Sequence, residues 1–116
     1  MLVSFAAVLM LLSPVPTAGS PVPEHTVVAV LRDYVPSNEI NIKQGEAVRF
    51  VDLDPTAGPG HSLTENVPEG VTPRFDSDIV PFATFKDVPQ IPSLPKGKYI
   101  FHCKIHDVLK GTLTVV

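Results

Sequence analysis

Several residue types are scarce in this sequence, and their scarcity excludes whole classes of protein. Among the 116 residues there is one cysteine and no tryptophan, and charged residues make up only 18%. A single cysteine excludes an intramolecular disulfide, and the 9 lysines and arginines form no basic stripe that would bind nucleic acid. With 44% apolar residues the chain is too hydrophobic for a disordered tail, and its length fits one small domain.

Proline and glycine are plentiful and favour a β-rich fold. The 13 prolines and 7 glycines follow no period, which excludes a collagen repeat, and proline removes a backbone donor that a helix bundle needs. Short runs of β-branched and apolar residues alternate with turn residues along the chain. About seven such strands predict an all-β sandwich or small barrel, with helix limited to a turn or two. The predicted strands are residues 25–32, 39–42, 47–53, 61–65, 82–88, 98–103 and 112–116.

Residues 1–19 are typical of a secretory signal peptide that is cleaved to leave one domain over residues 20–116. Residues 2–12 are almost entirely apolar, although no lysine or arginine precedes them, and the small residues that follow suit cleavage. The apolar run is too short to span a bilayer. We therefore expect an exported protein, periplasmic or extracellular; the alternative is a retained segment that associates with a membrane. Both methionines, Met1 and Met10, fall within the predicted signal.

The clearest chemical signal lies near the carboxyl end of the chain. In the penultimate predicted strand, alternation puts Tyr99, Phe101 and Cys103 on one face, which we expect to point into the core. His106 follows Cys103 by three residues, within a short connector that Gly111 closes. A free thiol in an exported protein is a liability, so it tends to be buried, paired with another chain or bound to a metal.

A third candidate ligand, His61, lies 42 residues before Cys103, just after a loop rich in glycine and proline. One thiolate with two imidazoles is the trigonal donor set that selects copper for electron transfer. The sequence therefore predicts a mononuclear metal site made of His61, Cys103 and His106. Two alternatives stay open: a zinc site, which uses similar donors, and a non-blue copper site to which Asp107 or Glu65 adds an oxygen ligand.

The segment from Gly97 to His106 resembles the ligand loop of the cupredoxins, the family of plastocyanin, amicyanin, pseudoazurin and azurin. The upstream run from Ile40 to His61 resembles the first half of the same family, so the likeness covers residues 25–116. The Cys-x-x-His spacing and the short chain are most similar to plastocyanin and amicyanin. The resemblance implies a Greek-key β-sandwich of about eight strands with one type 1 copper ion near one end.

Two positions depart from the pattern of that family. Where amicyanin-like loops carry a weak axial methionine ligand, this chain has Leu109, which cannot coordinate a metal. Because the axial ligand tunes the redox potential, we expect a high-potential site, with the Gly60 carbonyl as a weak axial donor of the kind azurin has. The asparagine that commonly follows the first histidine ligand is Ser62 here, whose hydroxyl also forms hydrogen bonds but has a shorter reach.

The resemblance implies a one-electron carrier between larger redox proteins, not an enzyme, and no small-molecule substrate. We expect a monomer that binds its redox partners transiently and uses His106 as the point of electron exit. The resemblance places an apolar docking patch around this histidine, and lysines beside it suit a partner with an acidic rim. The patch is Pro59, Ile105, Val108 and Leu109, and the lysines are Lys96, Lys98, Lys104 and Lys110.

Three other functions predict different sequences. A copper-handling protein often carries methionine or extra histidine clusters, and a copper oxidase or nitrite reductase needs further histidine pairs such as His-x-His. Neither signature occurs in residues 20–116. A metal-free adhesion module has no need of Cys103 and His106 at this spacing. Of the remaining histidines, we expect His102 to point away from the metal and His25 to be solvated.

Overall fold

The computed structural model describes residues 22–31 and 33–116, and these residues form an all-β structure. The predicted signal segment, residues 1–19, lies outside the described residues. No helix in the described ranges is long and apolar enough to cross a membrane. The regular elements in these ranges are the strands β1 (His25–Val30), β2 (Asp33–Val35), β3 (Glu39–Ile42), β4 (Val48–Asp52), β5 (Thr64–Glu65), β6 (Phe85–Asp87), β7 (Gly97–Cys103) and β8 (His106–Val115), with one turn of 3-10 helix at Ile91–Ser93.

The strands form two four-stranded sheets that enclose one hydrophobic core. The first sheet has the order β2-β1-β4-β6, and the second has the order β3-β8-β7-β5. β1 runs parallel to β4 and β3 runs parallel to β8, whereas the other neighbours are antiparallel. The predicted all-β sandwich is therefore confirmed, and each of its sheets is mixed.

Alternation along the strands explains which residues fill the core. Val27 and Ala29 of β1 are buried while their neighbours in the strand are at least partly exposed, and β4 buries Phe50 in the same way. Phe101 of the second sheet is buried, and its ring meets Tyr34 of the first sheet edge-on with 5.0 Å between centroids. Because burial of a side chain of this size contributes roughly 1.5–3 kcal/mol, the shared core holds the two sheets together.

Four predicted strands are shorter in the structure than in the sequence analysis, and the one at 47–53 loses a residue at each end to become β4. The first strand ends at Val30, because Leu31 has a φ of 46° and precedes the unpredicted strand β2. The predicted strand 61–65 keeps only its last two residues as β5. The predicted strand 82–88 keeps only β6, since Ala83 has a φ of 64°. Left-handed backbone at residues other than glycine interrupts a strand, and no side-chain pattern indicates where it will occur.

The last strand is longer than predicted, which changes the setting of His106. The sequence predicted a strand over 112–116 after a connector that holds His106; instead β8 begins at His106, and only two residues form the turn from β7. Gly111 does not close a connector but lies inside β8 opposite Phe101. A Cβ there would lie 2.4 Å from the Phe101 ring and 2.4 Å from the Asn38 carbonyl oxygen, so only glycine fits.

Candidate metal centre

Three side chains from distant parts of the sequence converge at one end of the sandwich. Cys103 ends β7 and is fully buried, His106 begins β8 and is partly exposed, and His61 is buried in the connection between β4 and β5. The Cys103 sulfur lies 3.6 Å from His61 Nδ1 and 3.5 Å from His106 Nδ1. The three candidate ligand atoms lie within 4.8 Å of one another. The structure thus brings together the three residues that the sequence singled out.

A close backbone approach at a glycine sets the position of His61. Gly60 has a φ of +137°, and a Cβ there would lie 2.3 Å from the Val80 carbonyl oxygen. The backbones of His61 and Val80 exchange two hydrogen bonds, with N···O distances of 3.2 and 2.7 Å. Because glycine has no Cβ, the loop after β4 can pack against Val80, and His61 is held beside the sulfur.

An irregularity in the β7–β8 hairpin brings His106 next to the sulfur. The register shifts between His102 and Cys103, so that Cys103 pairs directly with His106. The shift leaves residues 107–109 of β8 without partners in β7, which is a bulge of the kind that re-aims side chains next to functional sites. Leu109, at the end of this bulge, is 1% exposed and therefore packs inside the protein.

A buried carboxylate orients the ring of His61. Asp54 Oδ2 accepts a hydrogen bond from His61 Nε2 at 2.8 Å, and both side chains are almost fully buried. With the proton on Nε2, the Nδ1 lone pair is free on the side of Cys103, as a metal-binding histidine requires. Hydrogen bonds from Thr56 and from His61 lower the pKa of Asp54 to about 2, so that its carboxylate stays ionised.

Sequence reasoning missed Asp54, which it placed in a loop dense in turn residues. The Asp-Pro-Thr sequence is a signal for a turn in which the aspartate bonds its own backbone. Asp54 Oδ1 does accept hydrogen bonds from Thr56 N at 2.9 Å and from Thr56 Oγ1 at 2.6 Å. That signal predicts the turn but not the contact with His61, because only the folded loop brings the second carboxylate oxygen to the ring.

Ser62 links the two segments that carry the candidate ligands. Its backbone N–H donates to the Cys103 sulfur at 3.3 Å, and its hydroxyl accepts a hydrogen bond from Lys104 N–H at 2.9 Å. Ser62 thus connects the segment of His61 to that of Cys103 through both its backbone and its hydroxyl. Tyr34 OH donates to the Ser62 carbonyl at 2.8 Å, and burial raises the pKa of Tyr34, so the phenol remains a donor.

A cavity of about 460 Å³ lies beside the cluster. His61 and His106 both line it, and Leu109 forms part of its wall. Two further lining residues, Leu31 and Val108, are apolar and 65% and 71% exposed. The cluster therefore approaches the surface at a cavity whose exposed lining is partly apolar and partly polar, since Asp33 and Thr56 also line it.

The remaining histidines and the possible oxygen ligands are not part of the cluster that the structure describes. Glu65 is buried, but its carboxylate pairs with Arg74 and does not join the cluster. The side chain of Asp107 lies outside the described part of the structure. His102 and His25 are partly exposed and also stand apart from the cluster. Within the residues that the structure describes, His61, Cys103 and His106 form the one group with metal-binding geometry.

The four lysines named in the sequence analysis differ in their distance from the cluster, because Lys104 follows Cys103 and Lys110 pairs with His102. The ammonium of Lys104 pairs with Asp76 at 2.8 Å, and hydrogen bonding to this carboxylate raises the pKa of Lys104. Lys96 and Lys98 lie at the start of β7, whereas Cys103 is at its end. A strand rises about 3.3 Å per residue, so these two lysines are remote from the candidate ligands.

Comparison with known proteins finds similarity in structure. No protein-family model and no curated protein matches the sequence. Amicyanin from Paracoccus versutus has a TM-score of 0.62 at 19% identity, over 86% of this chain and 88% of that one. A purple cupredoxin from Nitrosopumilus maritimus has a TM-score of 0.59 at 16% identity, over 80% of this chain and 100% of that one. A copper-containing nitrite reductase from Thermus scotoductus SA-01 has a TM-score of 0.62 at 24% identity, over 84% of this chain.

These similarities show that the chain has a cupredoxin fold. This chain spans only 23% of the nitrite reductase, so it corresponds to a small part of that enzyme. The chemistry of the donors provides a separate test of the metal. A buried thiolate with two imidazoles suits copper, and donors 3.5 and 3.6 Å apart are within reach of one ion whose bonds are about 2.0–2.3 Å long. The residues present therefore fit a single type 1 copper ion.

Proposed function

We propose that this protein is an exported mononuclear blue copper protein that carries single electrons between redox partners. The observation that carries the proposal is the cluster of His61, Cys103 and His106 at one end of a cupredoxin fold, with donor atoms within 4.8 Å of one another. A soft thiolate suits Cu(I), and imidazoles suit both oxidation states. Export is supported by the apolar segment at residues 2–12.

When bound, the copper ion supplies a one-electron redox couple; the rest of the function belongs to the chain. Asp54 holds the proton on His61 Nε2, and Ser62 N–H donates to the Cys103 sulfur. Because these contacts come from buried residues of a packed sandwich, the ligands keep one arrangement whichever charge the site carries. A small change in geometry between oxidation states favours fast electron transfer.

His106 is the proposed point of electron exit. Cys103 and His61 are 0% and 1% exposed, whereas His106 is partly exposed. Val108 and Ile105 near it are 71% and 45% exposed. Exposed apolar side chains grouped around a polar feature mark interaction sites, so we infer that a redox protein docks transiently on this surface. The proposed role is that of a carrier and not of an enzyme.

We further propose a high reduction potential, because Leu109 stands where a thioether ligand would stabilise Cu(II). The side chain of Leu109 is buried and lines the same cavity as the two histidines. The Gly60 carbonyl, next to His61 in the sequence, is the proposed weak axial donor.

Leu109→Met tests the axial proposal. Because leucine and methionine have similar volumes, this exchange costs less than about 1.5 kcal/mol in a packed core. We expect the potential to fall, on the order of 59 mV for a tenfold change in the relative affinities of the two oxidation states. Voltammetry of both proteins measures the shift. An unchanged or higher potential would show that position 109 does not face the metal.

Optical and electron paramagnetic resonance spectra of the purified protein with Cu(II) test the metal site itself. We expect an intense thiolate-to-copper charge-transfer band and a narrow copper hyperfine splitting. Cys103→Ser should abolish the band and leave the fold intact, whereas His102→Ala, at a histidine outside the cluster, should retain it. A weak spectrum with ligand-field bands alone would contradict a blue copper site and favour an oxygen-ligated copper or a zinc site.

Reversible voltammetry separates an electron carrier from a copper-handling protein. A carrier keeps its copper in both oxidation states, so repeated cycles should give one reversible one-electron wave. Release of copper to a Cu(I) chelator after each reduction would instead support copper delivery. The same result would contradict the proposed carrier function without changing the ligand assignment.

A further inference from the structure

A closed ring of hydrogen bonds lies next to Cys103. None of the three candidate ligand side chains takes part in it. The ring starts at Lys104 N–H, which donates to Ser62 Oγ at 2.9 Å. Ser62 Oγ lies 2.8 Å from Thr64 Oγ1, which donates to Asp76 Oδ1 at 2.9 Å. The second oxygen of Asp76 pairs with the Lys104 ammonium at 2.8 Å and closes the ring.

Proton counting gives the ring one direction. The Thr64 hydroxyl has a single proton and donates it to the Asp76 carboxylate, which accepts only. In the contact between the two hydroxyls, Ser62 must therefore be the donor. Its oxygen is then free to accept from Lys104 N–H. The carboxylate thus decides which way the Ser62 hydroxyl points.

Because the two hydroxyl groups are buried, they keep this direction of hydrogen bonding. Ser62 and Thr64 are 0% and 2% exposed, so water cannot replace a lost partner. Chains of hydrogen bonds in a low dielectric polarise and strengthen one another. The outer end is more exposed, with Lys104 and Asp76 side chains 36% and 30% accessible. The ring therefore has a rigid, buried half at Ser62 and Thr64. In its more exposed half, Asp76 and Lys104 form an ion pair.

The ring joins three segments that the chain visits separately. Ser62 and Thr64 flank the start of β5, Asp76 lies in the loop that bridges to β5, and Lys104 directly follows Cys103. The same Ser62 donates its backbone N–H to the sulfur at 3.3 Å. Through its hydroxyl, Ser62 is tied to Thr64 and to the backbone of Lys104, so loss of these contacts removes a restraint on the segment that carries this N–H.

We propose that Thr64 and Asp76 are positioning residues that act through Ser62 to hold a hydrogen bond on the Cys103 sulfur. Neither side chain belongs to the candidate ligand cluster. A hydrogen bond withdraws electron density from a thiolate, which weakens its donation to Cu(II) and raises the reduction potential. The effect on potential rests on the proposed function, whereas the hydrogen-bond positions are a property of the chain without metal.

Thr64→Val and Thr64→Ser form the matched pair that tests this proposal. Valine keeps the shape of threonine but removes the hydroxyl, and serine keeps the hydroxyl. In the metal-free protein we expect the Ser62 and Lys104 amides of the valine variant to exchange with solvent at least tenfold faster, and the serine variant to restore protection. In the copper protein the valine variant should have a lower potential, by up to about 59 mV for a tenfold change in relative affinity.

Asp87→Asn serves as the control for Asp76→Asn. Asp87 pairs with Arg49 at 2.7 Å on the first sheet, away from β5 and β7. Asp76→Asn should lower the potential and shift the charge-transfer band in the same direction as the valine variant, whereas Asp87→Asn should change neither. If Thr64→Val does not fold, Asp76→Asn and Thr64→Ser still decide the matter.

Unchanged amide exchange and unchanged potential in Thr64→Val and Asp76→Asn would overturn the proposal. Equal shifts in Asp87→Asn would also overturn it, because they would point to a general effect of charge. If the wild-type protein forms no thiolate–copper band, the proposed function fails, but amide exchange in the metal-free protein still supports or refutes the ring.

Discussion

Two of the buried carboxylates pair with an ionisable neighbour. Asp54 and Glu65 are each 3% exposed, and the third buried carboxylate of the described residues is Asp52. Removing one partner of a buried charge costs roughly 3–5 kcal/mol, so each carboxylate needs the neighbour that keeps it ionised. For Asp54 these neighbours include His61, and for Glu65 the neighbour is Arg74. The first therefore matters for the metal and the second for stability.

Asp54→Asn should weaken copper binding without unfolding the protein. The amide keeps the size of the carboxylate, but it presents either an acceptor or a donor to the ring, so it no longer enforces the proton on His61 Nε2. We expect copper affinity to fall about 10–100-fold, as it does for other partners of metal-binding histidines. Competition with a chelator measures the affinity. Asp33→Asn, at the same cavity, is the control, and an equal loss there would refute a specific role for Asp54.

Glu65→Gln should reduce both stability and its dependence on pH. Hydrogen bonds from Arg74 lower the pKa of Glu65 below its ordinary value of 4.5. A pKa that is lower in the folded state stabilises the fold above the unfolded pKa, and the contribution is lost as pH falls through the folded pKa. Because Arg74 is 59% exposed, we expect a modest loss at neutral pH, about 1–2 kcal/mol.

Urea unfolding of the metal-free protein at neutral pH and in acid measures this effect. The wild type should lose stability as pH falls below 4.5, and the difference from Glu65→Gln should shrink over the same interval. Glu39→Gln, at an exposed position in β3, is the control. A constant difference between Glu65→Gln and wild type at all pH values would contradict the prediction.

At the scale of elements, the β7–β8 hairpin supplies two of the three candidate ligands. In this hairpin Cys103 of β7 pairs directly with His106 of β8, and a two-residue turn joins the two strands. Alternation along β7 predicted the buried face of Tyr99, Phe101 and Cys103, and the structure confirms it with 4%, 0% and 0% exposure. The early start of β8 was not predicted, because the bulge at 107–109 has no regular period that a sequence pattern reveals.

Gly111→Ala should loosen this hairpin. The new methyl group would meet the Phe101 ring and the Asn38 carbonyl oxygen, each at 2.4 Å, so β7 or β8 must move. Overpacking of this kind costs about 1–3 kcal/mol, occasionally more, and the movement should also weaken copper binding. Urea unfolding and chelator competition measure the two effects. Lys110→Ala, at the exposed neighbouring position, should change neither, and wild-type stability of Gly111→Ala would contradict the steric argument.

At the scale of the whole molecule, protein contacts hold together the segments that carry the three candidate ligands. The loop that carries His61 leaves β4 of the first sheet, whereas Cys103 and His106 belong to the second. Backbone bonds between His61 and Val80 and the contacts of Ser62 hold these segments together through protein groups alone. We therefore predict that a bound metal would add stability to a fold that forms without it.

Removal of copper should lower the Tm and leave the fold unchanged. A ligand present at 1,000 times its Kd adds about 4.1 kcal/mol, and each 1 kcal/mol corresponds to about 4–8 °C in a small domain. We expect chelation to reduce the Tm in proportion to copper affinity, with the same far-ultraviolet circular dichroism before and after. Loss of the β-sheet spectrum on chelation would show that the metal is required for folding.

The local features of this protein can be inferred from its amino-acid sequence without a structure. Strand alternation placed Cys103 on the inner face of β7, and turn residues separated short strands in an all-β chain. The Cys-x-x-His spacing and the earlier His61 indicated the candidate ligand set, and the structure brings those three side chains together. These inferences rest on neighbours in sequence or on a motif, and such information is readable without a fold.

The surroundings of the site depend on contacts between segments that are distant in the sequence. The contact of Asp54 with His61, the ring through Thr64 and Asp76, and the bulge at 107–109 all depend on where separate segments meet. Strand pairing and loop packing bring these groups together, and no local pattern specifies such contacts. The sequence thus identifies the candidate metal ligands, whereas their orientation and hydrogen bonding arise from the packing of the two sheets.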